Sequence, residues 1–196
     1  QIVWNFEKMK KRPQATTQLS KFNKLCNNIK NNNPAKEDCL KRIRTTSIKL
    51  AKKWLAVWKK NPSHTVFADS SESAFKIYLS NNATAKNENT ARYSYAELLF
   101  KRSKFEVASK QYLKVSTEAT KGTLVKHDAL YSSILSLEQF NGDKWSGKNL
   151  KLFHKLSNAY ITNFPKGKYK IDMQFKKALV AYENSNYELA APIFKQ

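Results

Sequence analysis

The apolar positions of this chain recur at helical spacing almost from end to end. In TTQLSKFNKLCNNI, Leu19, Phe22, Leu25, Cys26 and Ile29 follow at steps of 3, 3, 1 and 3, which predicts one apolar stripe on a helix. NNNP stops that helix. The next opens after Pro34 and ends at Asn61-Pro62, with Leu40, Ile43, Ile48, Leu50, Ala51, Trp54, Leu55 and Trp58 on its inner side. Further helices are predicted over about 65–81, 88–102, 104–117, 123–139, 147–163 and 169–184, and from 186 onward. They are separated by NNATAKNEN, KRSK, a break at Lys121-Gly122, the loop FNGDKWSG with Asp143 as a turn residue, and NFPKGK. The opening QIVWNFEKMKKR lacks an apolar h-region, so it does not read as a signal peptide, and no helix is assigned to it. No stretch alternates at period two. The pattern predicts an all-α chain of about nine helices, joined by short connections into antiparallel hairpins in series.

Two stretches about eighty residues apart share one skeleton. Ala96, Phe105, Ala108 and Tyr112 stand at steps of 9, 3 and 4, and so do Ala178, Tyr187, Ala190 and Phe194. Small and aromatic groups at these positions carry no nucleophile, base or ligand, so the shared pattern concerns packing. An alanine on each helix allows close approach, and the aromatics are placed to fill the wedge towards the next pair. Helix pairs that cannot bury their apolar faces alone do so by stacking, which is the logic of an α-solenoid.

AELLFKRSKFEVASKQY and KALVAYENSNYELAAPIF resemble tetratricopeptide repeats, which place a small residue, an aromatic nine later, alanine three later and an aromatic four after that. ESAFKIYL keeps only the final spacing, in Ala74 and Tyr78, with Ser71 where the aromatic would stand. The family's Trp and Leu-Gly are missing from the first helix, where Arg92 and Tyr95-Ala96 stand. HDALYSSILSLEQF with KLFHKLSNAYITNFP resembles a further pair with a lengthened turn. The resemblance implies a right-handed solenoid of stacked hairpins over residues 63–196, preceded by a basic helical hairpin region over 1–62. The chain starts without Met and ends at IFKQ inside a helical pattern, which reads as a piece of a longer array. YLS, ARYSYAELLFKRSKFEVASKQYLKV and YITNFP are similar to repeat proteins of bacterial cell envelopes, including those of gliding-motility and outer-membrane assembly machinery. That likeness implies a periplasmic or outer-membrane-attached scaffold with protein partners. A cytoplasmic home is the alternative.

Charge adds a partner class. The formal net charge is +21. Residues 1–62 hold 16 Lys and Arg against 3 Asp and Glu, which is +13, and the remainder hold 20 against 12, which is +8. Such a balance attracts nucleic acid, anionic lipid or glycan, or an acidic protein, and it is also what a solvated lysine-rich surface looks like. Lysine predominates over arginine, which disfavours bidentate base reading. Aromatics interleave with cations in AKKWLAVWKK and FPKGKYK. Trp54 and Trp58 share a helix face with Leu50, Ala51 and Leu55, so core packing is the leading reading, ahead of base stacking or a membrane face. Lys101, Arg102, Lys104 and Lys110 are candidate contacts for an acidic partner.

Chemistry is sparse. Cys26 and Cys39 flank a polar connection and face each other if helices flank it. They read either as a disulfide of an oxidising compartment or as two unrelated thiols. His127 and Asp128 are helix neighbours and are expected on different faces, while His64 and His154 stand alone as structural histidines. Glu37 and Asp38 suit a helix start. No nucleophile elbow, phosphate loop, metal-ligand spacing or membrane span is present, so no catalytic, cofactor or metal residue is assigned. The expectation is a non-enzymatic interaction module with an acidic protein partner. The alternative is nucleic-acid binding by the basic N-terminal part.

Overall fold

The computed structural model describes residues 2–81, 85–119, 124–142, 145 and 147–195. The protein is all-α: ten helices and no strand occur among the described residues. They are α1 (Ile2–Lys8), α2 (Arg12–Asn28), α3 (Ala35–Lys60), α4 (Thr65–Leu79), α5 (Ala85–Lys101), α6 (Phe105–Glu118), α7 (Leu124–Asn141), α8 (Gly147–Asn163), α9 (Lys170–Glu183) and α10 (Tyr187–Phe194). The chain divides into two compact units, Gln1–Leu98 and Leu99–Gln196, and the division falls inside α5. Asn61-Pro62 is the turn between α3 and α4, which pack along each other within the first unit. The expected break at Lys121-Gly122 and turn at Asp143 lie outside the described residues.

The helix without a counterpart in the sequence reading is α1. Seven residues fall short of the window in which a 3.6-residue period can be counted. Its inner face is Val3 and Glu7, both buried. A buried carboxylate must be paired, and Glu7 accepts a hydrogen bond from Trp54 Nε1 (2.9 Å) and an ion pair from Lys53 Nζ (2.7 Å) on α3. The α2 stripe also differs from expectation at one place. Ala15, Leu19 and Cys26 are buried, but Leu25 is 61% exposed. At 3.6 residues per turn, Cys26 returns to within about 20° of Leu19, whereas Leu25 is displaced by about 120°.

In the first unit α1 packs on α2, α2 on both α3 and α4, and α3 on α4. Hydrogen bonds between polar side chains and backbone hold these crossings close. Ser71 Oγ on α4 donates to the Ala51 carbonyl on α3 (2.9 Å). Buried Asn81 donates to Asn23 Oδ1 (2.8 Å) and accepts from Asn27 Nδ2 (3.3 Å), both on α2, while Arg44 of α3 donates to the Asn81 carbonyl (3.2 Å). Cys26 near the end of α2 and Cys39 in the second turn of α3 are bonded to each other, with Cα atoms 5.5 Å apart.

One turn recurs three times. Lys10, Ser103 and Ser185 have φ of 59°, 57° and 59°, the left-handed region. Around each, the same three backbone bonds form. Ser103 N–H reaches Phe100 O, Lys104 N–H reaches Leu99 O, and Ala108 N–H reaches Lys104 O. The corresponding bonds are Ser185 to Tyr182, Asn186 to Ala181 and Ala190 to Asn186 in the last hairpin, and Lys10 to Glu7, Lys11 to Phe6 and Ala15 to Lys11 in the first. The α1–α2 hairpin is therefore a third copy, with Val3, Arg12, Ala15 and Leu19 at the steps of 9, 3 and 4. Ala15, Ala96, Ala108, Ala178 and Ala190 are all buried. In the first copy the aromatic is replaced by Arg12, whose guanidinium lies 4.0 Å from the Phe67 ring centroid.

The aromatics of the last copy do not fill a wedge. Tyr187 and Phe194 are 58% and 49% exposed, and they pair edge-on with Tyr182 and Phe175. The equivalent Tyr112 on α6 is fully buried because α7 covers it. That crossing is held by reciprocal bonds between buried serines: Ser109 Oγ donates to Ser133 O (2.9 Å) and Ser133 Oγ to Ser109 O (3.0 Å). The second unit continues α7 on α8, α8 on α9 and α9 on α10 around Leu130, Ile134, Leu137, Trp145, Phe153, Leu156, Tyr160, Met173 and Val180.

Two stability measurements follow. A non-glycine residue at φ near 60° costs about 1–2 kcal/mol. Ser103→Gly and Lys10→Gly should each raise the free energy of unfolding by about 1 kcal/mol in urea titrations, against a loss for Ser103→Val. Reducing Cys26–Cys39 removes a tie across a separation of 13 residues. It should lower stability by about 3 kcal/mol in the loop-closure treatment, seen as a fall in the urea midpoint on adding a reductant.

Candidate interaction surface

The acidic residues of the basic N-terminal stretch are already engaged. Glu7 is held by Lys53 and Trp54, Glu37 by Arg44 (2.5 Å), and Asp38 by Arg42 (2.8 Å). Glu37 and Asp38 lie in the first turn of α3, where carboxylates suit the helix dipole. The excess of Lys and Arg in this stretch is thus left facing outward as a cationic field.

That field acquires shape between α2 and α4. A groove of about 550 Å³ is lined by Lys21 and Lys24 from α2, Lys76 from α4, and the hydroxyls of Thr16, Thr17 and Ser73. The two threonine hydroxyls donate to Pro13 O (2.8 and 2.9 Å) and the Ser73 hydroxyl to Asp69 O (2.9 Å), so the lysine ammonium groups are the groove's charged donors. Lys76 also meets the buried Glu72 at 2.9 Å, which fixes its place in the groove wall. Helical spacing puts Lys21 and Lys24 on one face, one turn apart. Lys76 reaches the groove only because α4 packs against α2, and no local pattern in the sequence joins it to the other two.

Lys101, Arg102, Lys104 and Lys110 lie elsewhere. The first three are gathered at the α5–α6 turn, with Lys101 and Lys104 exposed and Arg102 half-buried. Lys110 is on α6 and forms an ion pair with Glu106 at 2.6 Å. Trp54 and Trp58 are buried, and Trp58 Nε1 donates to the Pro62 carbonyl (2.9 Å), so neither ring is free to stack on a base or lie on a lipid surface.

The histidines fall into three environments. His64 is exposed at the head of α4. His127 is buried among the Tyr160, Phe164 and Tyr169 rings. Its Nε2 is hydrogen-bonded to the Tyr160 hydroxyl at 2.5 Å, and its Nδ1 lies 3.3 Å from Asp128 Oδ1. The two neighbours expected on different faces are therefore in contact: adjacent helical positions leave enough overlap for an imidazole to reach round to the next carboxylate. Lys168 closes the array, 3.2 Å from Asp128 and over the Tyr169 ring. Burial pushes the Tyr160 hydroxyl up to about 12, and the Tyr169 backbone N–H bonds to the same oxygen. Tyr131 is raised by burial and by donating to Asp172 at 2.9 Å, and it stacks on Tyr169 with centroids 3.7 Å apart. An Asp–His–Tyr chain of this kind could relay a proton, but its tyrosine has no exposed surface to offer a substrate. It acts as a clasp on the α8–α9 turn. Gly167 lies against it so closely that an added Cβ would come within 2.8 Å of His127 Nε2. Among the described residues no group of three His, Cys, Asp or Glu is placed to hold a metal ion, and no helix is long and apolar enough to cross a membrane.

His154 on α8 is half-buried, and its affinity for a proton is lowered by burial first and by the Lys177 charge second. The unfolded chain therefore takes up the proton more readily, so stability is full above the ordinary histidine pKa and falls as pH drops through the lowered value. The urea midpoint should decline between pH 7 and pH 5. His154→Gln should flatten that decline, and an unchanged pH profile in the variant would remove His154 as its cause.

No family model, no curated protein and no solved structure matches this chain.

Proposed function

We propose that the chain is a non-catalytic interaction module of the tetratricopeptide type that holds an acidic segment of a partner protein. The observation that carries this reading is the α2–α4 groove, where Lys21 and Lys24 from the more basic part of the chain and Lys76 from α4 line one depression. Repeated helical hairpins with a common turn support it, because such arrays present extended surfaces to segments of other proteins. A charged rim of this kind adds association rate and specificity, and it responds to salt. The bonded Cys26–Cys39 pair supports a home outside the reducing cytosol, in keeping with a scaffold of a bacterial cell envelope. Nucleic acid is the competing partner for the same lysines. The burial of Trp54 and Trp58 removes the stacking platforms that would have favoured it.

The test is a comparison of ligands and variants by fluorescence anisotropy. An oligo-glutamate peptide should bind the protein more tightly than single-stranded DNA of equal charge at 150 mM salt. The double variant Lys21→Glu/Lys24→Glu should weaken peptide binding by about tenfold or more, in the range of two charge-assisted contacts, while Lys101→Glu/Lys104→Glu changes it little. Tighter binding of DNA, with a steep salt slope, would instead assign the groove to nucleic acid.

A further inference from the structure

A second depression in the first unit has a different chemistry. It has a volume of about 350 Å³ and lies between α1, α2 and α3. Trp4 and Ile43 form apolar walls, the bonded Cys26 and Cys39 form another, and the only polar side chains in the lining are those of Thr46 and Arg42. Arg42 is held by Asp38 through one contact of 2.8 Å between two well-exposed side chains. A pair of that kind is weak because both groups stay solvated, so an incoming carboxylate can share or take the guanidinium. None of the lysines of the α2–α4 groove takes part.

We propose that this pocket binds a free, single-chain aliphatic carboxylate, with its tail against Trp4, Ile43 and the disulfide and its head on Arg42. Three features lead there. The lining is apolar apart from one cation and one hydroxyl, which is the composition of a site that takes an apolar body with one anionic end. The volume is at the lower end of small-molecule sites, room for one chain and not for a two-chain lipid. The +13 charge of residues 1–62 concentrates anions near the mouth. The Cys26–Cys39 bond ties α2 to α3 across the pocket wall and holds the cleft at a fixed width.

Isothermal titration of the full chain with monomeric decanoate should give saturable 1:1 binding. Decanol should bind about tenfold more weakly for want of the charge-assisted bond. Thr46 is half-buried in the lining, so Thr46→Trp should fill the pocket and abolish the titration while the far-ultraviolet spectrum is kept. If that variant does not fold, Arg42→Gln, at a well-exposed position, should bring decanoate down to the level of decanol. No saturable binding, binding undiminished in folded Thr46→Trp, or equal binding of decanoate to wild type and Arg42→Gln would overturn the proposal. Binding to phosphatidylglycerol vesicles without binding to monomeric decanoate would also overturn it, and would make the pocket a membrane contact. Binding of the oligo-glutamate peptide that is lost in Thr46→Trp and kept in Lys21→Glu/Lys24→Glu, with decanoate inert, would overturn it in favour of a peptide anchor.

Discussion

The structure depends on reversing a helix within three residues, and on doing so without glycine. At Lys10, Ser103 and Ser185 the backbone enters the left-handed region, and two bonds back into the preceding helix close the turn. That closure fixes where the second helix begins. Once it is fixed, the residue five beyond the left-handed position must be small, and it is alanine all three times, at Ala15, Ala108 and Ala190. In the α1–α2 and α9–α10 hairpins the steric demand of the turn is offset by the burial that the close second helix makes possible. Nothing comparable constrains the α3–α4 connection. There Pro62 sets the break, and a serine, Ser71, provides the close approach.

How much of this was legible depended on whether neighbours in sequence were also neighbours in space. Helical type was legible because a 3.6-residue period is local. The common skeleton was legible in two copies because Phe105, Tyr112, Tyr187 and Phe194 are conspicuous. The first copy escaped because Val3, Arg12 and Leu19 keep the spacing with other side chains, and Arg12 replaces ring packing with a cation over Phe67. Position in the array was not legible either. Tyr112 and Phe194 have the same place in the skeleton, yet one is covered by α7 and the other is half exposed.

The same distinction governs the surface. Lys101, Arg102 and Lys104 stand out in the sequence because they are close along the chain, and the turn does gather them. The groove that gives the charge a shape takes Lys21 and Lys24 from one helix and Lys76 from another, a grouping made only by the packing of α2 on α4. The His127 clasp is likewise non-local, since Tyr160 and Tyr169 come from beyond the α7–α8 connection.

The bond between Cys26 and Cys39 also changes how the first unit would carry load. Tension applied at the two ends of the chain passes through the disulfide and bypasses the connection NNIKNNNPAKED. Fully stretched, those residues would otherwise contribute roughly 40 Å of extra contour beyond the 5.5 Å between the bonded Cα atoms. The pull is then borne by α2 and α3 as a crosslinked pair, and the segment between the two cysteines contributes no compliance.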